Sequence, residues 1–447
     1  MGAGIKSPLE AARRGVYVLS GVSSGTAAKR RVRSPVIPCT AREHVALSAF
    51  LAEIFGSGYP PKFQAALDDP FYEPCDRLLL RRMGRLVAHA HITHRAMQFG
   101  PLSLPVAGLD GLATEGDCRG QGLGTHLLMA AERKMAQSGA LVGLLRTRVP
   151  HFFRRTGWAL CGSGFRAAAN PHRVLSRLLE QGLGLRRGGR IQVRPWRRWE
   201  EDAIARIYRQ NLPGSFGLLE RTRSYWHWLL ERRAYDQFYV ALDGPDLWDL
   251  KESSTQVVGY AAIRGERVIE LMTAPGRRKA VMELLARTCG DAIEQDHRQI
   301  AMHAAVDSPA LEYFRDGTES SPCEQPEVCM ARLLDPLGLL RKLCAVFAQR
   351  AAVAGLARPV ELGLLVDGRK YQIDIAGSGR VTADSIGRSY LRLNVADVTR
   401  LVLGQLDWER ALAENRVVPS TALAHDAARV LFPRLPYWRP LLDDLLA

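Results

Sequence analysis

One stretch limits this chain more than any other. CRGQGLGTHLL, Cys118 to Leu128, sets Gly120, Gly122 and Gly124 at alternate positions behind Arg119. An apolar strand pattern, LPVAGLDGLAT, runs into it, and THLLMAAERKMAQSG behind it has the period of a helix closed by Gly139. Glycines at a strand-to-helix turn remove Cβ atoms, so backbone N–H groups can close on an oxyanion at the helix N-terminus. Each N–H donated to a charged oxygen contributes about 1.5–3 kcal/mol. The ligand this predicts is a phosphate, and two common cradles for it are excluded. A Walker loop needs Lys and then Ser or Thr after its last glycine, but Thr125 follows Gly124 directly; the dinucleotide fingerprint needs Gly or Ala where Thr125 stands.

The flanking elements read in a definite order. Structure begins near SPVIPCT. AREHVALSAFLAEIF follows as a helix with Val45, Leu47, Phe50 and Leu51 on a core stripe. DRLLLRR and LVAHAHITHRAMQFG read as strands joined by a Met-Gly hairpin turn, and ALVGLLRT is an apolar strand after the glycine turn and its helix. The preceding strand is thus fed by a hairpin. What fits is Arg-x-x-Gly-x-Gly, Arg119, Gly122 and Gly124, which resembles the acetyl-CoA loop of the GNAT N-acetyltransferase superfamily. That resemblance implies acetyl-CoA as cosubstrate. By position it implies Leu112, Ala113 and Thr114 on the pantetheine arm, and Arg119, Gly120, Gln121, Gly122, Leu123, Gly124 and Thr125 around the pyrophosphate. HFFRRTGW, His151 to Trp158, matches a second landmark, an aromatic pair followed by Gly and an aromatic. The second aromatic is commonly a tyrosine that returns a proton to the CoA thiolate; here Phe153 holds that place, and phenylalanine has no proton to give. General acid catalysis typically contributes about 10²–10⁴-fold, so another group, such as the nearby His151, or water must serve, or turnover is weak.

Composition bounds the rest. A chain of 447 residues suggests about three domains, and its net charge of +15 favours anionic partners. The eight cysteines lack zinc-ligand spacing, which predicts reduced thiols in a cytoplasm and no metal. No apolar run approaches the roughly 18 residues of a membrane helix. Residues 1–33, basic with a KRRVR cluster, read as a disordered tail. After a Gly/Arg linker at QGLGLRRGGR, a second unit repeats the element order of the first, but its cradle position reads PGRRKA without Gly-x-Gly. This is a degenerate copy, structural rather than catalytic. In GLLERTRSYWHWLL, Trp226 and Trp228 with neighbouring arginines could stack nucleic-acid bases, but at helical spacing they read as a core stripe with a charged rim. From residue 336, alternating strands around Asp-Gly and Gly-Ser-Gly turns, then helices, resemble the sterol carrier protein fold.

The expected fold is therefore α+β with mixed sheets: a tail (1–33), a catalytic GNAT domain (34–180), a degenerate GNAT-like domain (190–335) and a sterol-carrier-like domain (336–447). This order resembles the enhanced intracellular survival (Eis) family of N-acetyltransferases. The resemblance implies acetyl transfer to a primary amine, on a small molecule or a protein, in a homo-oligomer, often a hexamer. It also implies a base supplied by the chain's own C-terminal carboxylate, which here is Ala447. The tail RLPYWRPLLDDLLA is several residues longer than that role requires. Asp443 is then a candidate stand-in, delivered by a path that Pro436 and Pro440 stiffen and Tyr437 and Trp438 anchor; a solvated surface tail is the alternative. Asp110, a carboxylate inside the apolar strand ahead of the glycine turn, is a third candidate. His89 and His91 share a strand face that either lines the same cleft or is exposed. Two rival functions stand beside the transferase: an acyl-CoA-binding regulator without turnover, and a lipid carrier working through an apolar tunnel in the last domain.

Overall fold

The computed structural model describes residues 35–162, 165–183, 191–244, 255–314, 327–356, 359–376 and 379–444. The basic tail expected at 1–33 and the C-terminal Ala447 lie outside these residues. The protein is a mixed α+β fold with three sheets.

The first sheet opens with strands β1 (Val36–Pro38), β2 (Arg77–Arg82), β3 (Arg85–Phe99), β4 (Leu102–Thr114) and β5 (Val142–Thr147), in that spatial order. Between β2 and β3, Met83 and Gly84 both have positive φ (49° and 79°), the two-residue turn whose twist suits a hairpin. Two helices, α1 (His44–Phe55) and α2 (Tyr59–Leu67), precede the sheet's core strands, and α3 (Leu123–Gln137) joins β4 to β5. Helix α3 buries Leu127, Leu128, Ala131 and Met135 against Leu80, Ala90 and Ile92 of the sheet; each fully buried leucine stabilises by about 1.5–3 kcal/mol. In α1, Leu47, Phe50 and Leu51 are buried as the stripe predicts, whereas Val45 is 84% exposed. Val45 sits two residues from Leu47, about 200° around the helix, and so faces the other way.

The boundary between the first and second units differs from the sequence expectation. The second sheet contains Ile191–Pro195, Gln237–Asp243, Gln256–Arg264, Arg267–Thr273 and Ile300–Ala304, a meander echoing the first. Its outer strand is Phe165–Ala169, from the first unit's side of the linker, paired with Ile300–Ala304. Conversely, Val328–Leu333 returns to the first sheet and pairs along all of β5, from Thr147 to Val142. The units thus exchange strands, and cuts at 180 and 335 sever each from one partner. The physical reason is edge protection: β5 would otherwise present a row of unpaired N–H and C=O groups. Trp226 and Trp228 are buried in the second unit's core, as the core-stripe reading expected. Arg221, expected on the charged rim, is instead buried there with them.

The third sheet runs Arg380–Ala383, Arg369–Ile375, Val360–Val366, Tyr390–Leu393 and Val418–Pro419. The Asp367-Gly368 hairpin turn has φ of 46° and 85°. Its inner face, including Leu362, Leu364, Ile373 and Leu391, forms one continuous core with Phe99, Leu104, Val106 and Leu144 of the first sheet. That face is covered by protein, which removes the ground for a lipid tunnel there.

Candidate functional site

The glycine turn has the backbone geometry that an anion cradle requires. Gly120 and Gly122 have φ of +74° and +80°, and a Cβ added at either would meet nothing within 4 Å. Gly122 is the N-cap of α3, and among the described residues no side chain caps that end. The first-turn N–H groups of Leu123, Gly124 and Thr125 therefore point toward open space at the positive end of the helix. The loop's outer wall is ordered by its own polar contacts: Gln121 accepts from Arg82 Nη1 (2.9 Å), and Arg119 Nε donates to the Thr114 carbonyl (3.1 Å). Phe152 closes the floor, with its ring 3.6 Å from where a Gly124 Cβ would lie.

Next to the cradle, β4 and β5 part. They pair in parallel from Val106–Val142 to Leu109–Leu145 and no further. The cause on the β4 side is a bulge. Across β3, the register slips by one residue between His89 and His91, leaving an extra residue on β4. Gly111 absorbs it at φ +56°, where a Cβ would meet the Tyr59 hydroxyl at 2.9 Å. His89 fixes the bulge by donating from Nδ1 to the Gly111 carbonyl (2.8 Å), which leaves Nε2 to accept from Arg77 (3.4 Å). Burial and then Arg77 push the His89 pKa down to about 3, so the ring stays neutral. Neither His89 nor His91 is on an exposed face; both are buried, and His91 faces Asp110 across the strands.

Asp110 stands where the two strands separate, on a cleft it shares with Arg95, Arg146, Arg439, Asp443 and Asp444. One of its oxygens, Oδ1, accepts from the Gly111 N–H (2.7 Å). Burial raises its pKa above the ordinary aspartate value, and Asp444 adds to the rise; Arg77 and Lys62 act against it.

The C-terminal segment forms the other wall. Tyr437 is buried in the core shared by the first and third units, and Trp438 in the second unit's core. The Trp438 backbone runs so close to Gly217 that a Cβ there would lie 2.4 Å from its carbonyl oxygen. Beyond them the chain is clamped by ion pairs. Arg221 donates Nε and Nη2 to the two oxygens of Asp443 (3.0 Å each) and Nη1 and Nη2 to Glu270 (2.8 and 2.6 Å). Its guanidinium lies 4.0 Å over the Tyr208 ring. Asp444 accepts from Arg146 Nε (2.5 Å) and Arg439 Nη2 (2.7 Å). Burial alone would raise the Asp444 carboxyl, but these two guanidiniums outweigh it and hold its pKa below the usual value. Asp443 and Asp444 are therefore buried in ion pairs rather than solvating a surface tail.

The structure thus brings Asp110 and Asp443 to one cleft, with the Gly120–Thr125 turn at the end of the same strand. It does not bring Phe153 there. Phe153 is 5% exposed in the core under α3, edge-on to Phe152 and Trp158, and His151 is exposed. Sequence reading missed Arg146, Arg221, Arg439 and the bulge at Gly111. An arginine in an apolar strand, as Arg146 is in VGLLRT, carried the same signal that singled out Asp110.

The uncapped glycine turn at the fork of a parallel strand pair falls within a stretch of the chain that matches a known domain family. Residues 36–161 match the family model of the acetyltransferase (GNAT) domain. No curated protein matches the chain in sequence. Among solved structures, the chain is similar to a GCN5-related N-acetyltransferase from Kribbella flavida (18% identity, TM-score 0.67, covering 92% of this chain and 97% of that one). It is similar also to a GCN5-related N-acetyltransferase from Anabaena variabilis (14%, 0.66, 91% and 99%). A third likeness is to Eis1 from Mycobacterium abscessus (16%, 0.61, 91% and 99%). At these identities the likeness is one of fold, and it extends across all three sheets.

Proposed function

We propose that the chain is an acetyl-CoA-dependent N-acetyltransferase acting on a primary amine. The observation that carries this reading is the open glycine turn at an uncapped helix, beside a fork whose only half-buried, lightly engaged carboxylate among the cleft residues is Asp110. Gly120 to Thr125 would hold the pyrophosphate, and the unpaired edge of Leu112 to Thr114 the pantetheine arm, which brings the acetyl carbonyl toward the fork. Asp110 accepts the proton lost by the amine as nitrogen bonds to that carbonyl carbon and the thiolate departs. A raised pKa suits an aspartate to this task, because efficiency is greatest when the base titrates near the working pH. Asp443 fits the role less well. Both its oxygens are occupied by Arg221, so it serves as the latch that holds the tail in place. With Phe153 sunk in the core, the thiolate takes its proton from water.

The experiment is calorimetric titration with acetyl-CoA. Binding should saturate at one equivalent per chain. Gly122→Val should weaken it by at least about tenfold, roughly 1.4 kcal/mol, while circular dichroism shows a folded protein. Unchanged affinity in the folded variant refutes the cradle.

A further inference from the structure

The charge balance of the cleft names the kind of amine it takes. Arg146 follows Leu145 on β5, as Asp110 follows Leu109 on β4, so the two stand opposite each other at the first unpaired position of the fork. Both line the same cleft. Paired strands lie about 5 Å apart, and the fork opens from that spacing at Asp110 and Arg146. The Arg146 side chain is only 7% exposed, and its Nε is spent on Asp444. Its Nη2 is buried with no hydrogen-bond partner among the described residues. A buried guanidinium N–H without an acceptor is costly, and the residue that carries it is one of those lining the cleft.

The neighbours do not supply the missing acceptor. Three guanidiniums, Arg146, Arg439 and Arg232, converge on Asp444: the first two on its carboxylate and the third on its backbone carbonyl. One carboxylate thus faces three positive charges. Asp443 and Glu270 share the single charge of Arg221, which leaves that trio one negative charge against the two positive charges in excess around Asp444, and Arg95 is paired with Asp69. The β5 side of the cleft is left positive, and the β4 side carries Asp110.

We infer that the acceptor is a small zwitterion, a free α-amino acid. Its amine is received at Asp110 and its carboxylate at Arg146 Nη2. An ammonium and a carboxylate one carbon apart match an aspartate and an arginine on adjacent strands. A polyamine does not match, because its further positive charges would meet the guanidinium side. This rests on the acetyl-transfer reading above and adds the acceptor class.

The test measures CoA release from acetyl-CoA with paired acceptors: L-amino acids, the amines each yields on decarboxylation, and spermidine. In every pair that turns over, the amino acid should have the higher kcat/KM, by about tenfold or more for one charge-assisted contact. Arg146→Gln, or the milder Arg146→Lys, should collapse that ratio. Arg439→Gln, which also loosens Asp444, should leave the ratio in place and so separates acceptor recognition from anchoring of the tail. Decarboxylated amines or spermidine turned over as well as the amino acids, or a ratio unchanged in Arg146→Gln, overturns the inference while acetyl transfer stands. A second arm needs no turnover: calorimetry on CoA-loaded protein with N-acetyl-L-amino acids and the matching N-acetyl amines. If nothing is acetylated, the transferase reading fails, and this arm still decides the ligand class. Equal binding of the two products overturns it.

Discussion

At the residue scale, the chemistry turns on whether a carboxylate is spent or free. Asp443 and Asp444 are held by arginines, whereas Asp110, among the described residues, accepts only its neighbour's N–H and has a raised pKa. Because the folded state favours the protonated form of Asp110, its contribution to stability is full below the ordinary aspartate pKa and is lost as pH rises through the raised folded value. Two consequences follow at neutral pH. Asp110→Asn should raise the melting temperature, since amide oxygen can still accept from Gly111, and should lower kcat by about 10²-fold or more. The acid limb of the wild-type kcat/KM profile should lie above the ordinary aspartate range and vanish in the variant; a limb that persists assigns the base elsewhere. Phe153 illustrates the opposite situation. Phe153→Tyr places a hydroxyl in the core under α3, so it should cost about 1–3 kcal/mol and leave kcat unimproved. A faster enzyme would show that the new phenol reaches the thiolate after all.

At the element scale, the C-terminal segment acts as a strap fastened at both ends. Tyr437 and Trp438 sit in different cores, and Arg221 ties Asp443 to Glu270 of the second sheet. Removing one partner from such a buried pair typically costs about 3–5 kcal/mol. Asp443→Asn should therefore lower the melting temperature together with kcat, while acetyl-CoA affinity holds. A loss of kcat at unchanged stability would instead mark Asp443 as the base. The β4 bulge is the second decisive element. It turns Asp110 to Thr114 away from β5, and it depends on Gly111 and on a neutral His89, both brought together by strand pairing.

At the scale of the whole molecule, the exchange of strands makes the first two units interdependent. A fragment ending at residue 180 keeps the whole GNAT motif but loses Val328–Leu333 from the edge of β5 and strands Phe165–Ala169 without its partner. Expressed alone, residues 34–180 should aggregate or remain unfolded, whereas 34–444 should fold; a soluble, cooperatively melting short fragment would contradict this. The same scale explains why only one cradle is expected per chain. At the corresponding turn of the second unit, Arg277 and Arg278 are paired with Asp243 and Glu312, so the helix start is furnished with the protein's own carboxylates.

What the sequence determined by itself was local. The hairpins, the glycine turn, helix α3 and the buried aromatic stripe all rest on φ preferences and periodicities that a few adjacent residues carry. The candidate cofactor loop was legible for that reason, and Asp110 was legible because a carboxylate interrupts an apolar strand. Tertiary structure decided everything that depends on partners distant in the chain. Periodicity marks Val328–Leu333 as a strand but cannot say that it belongs beside β5, some 180 residues earlier. Arg221 reads as a rim charge until Glu270 and Asp443 are placed around it. Arg146 becomes a candidate for recognition only when the fork opens beside it and the tail takes its Nε while leaving Nη2 without an acceptor among the described residues. Burial, register and charge pairing are properties of the assembled fold, and in this protein they determine which carboxylate is lightly engaged and which arginine keeps a buried N–H without an acceptor.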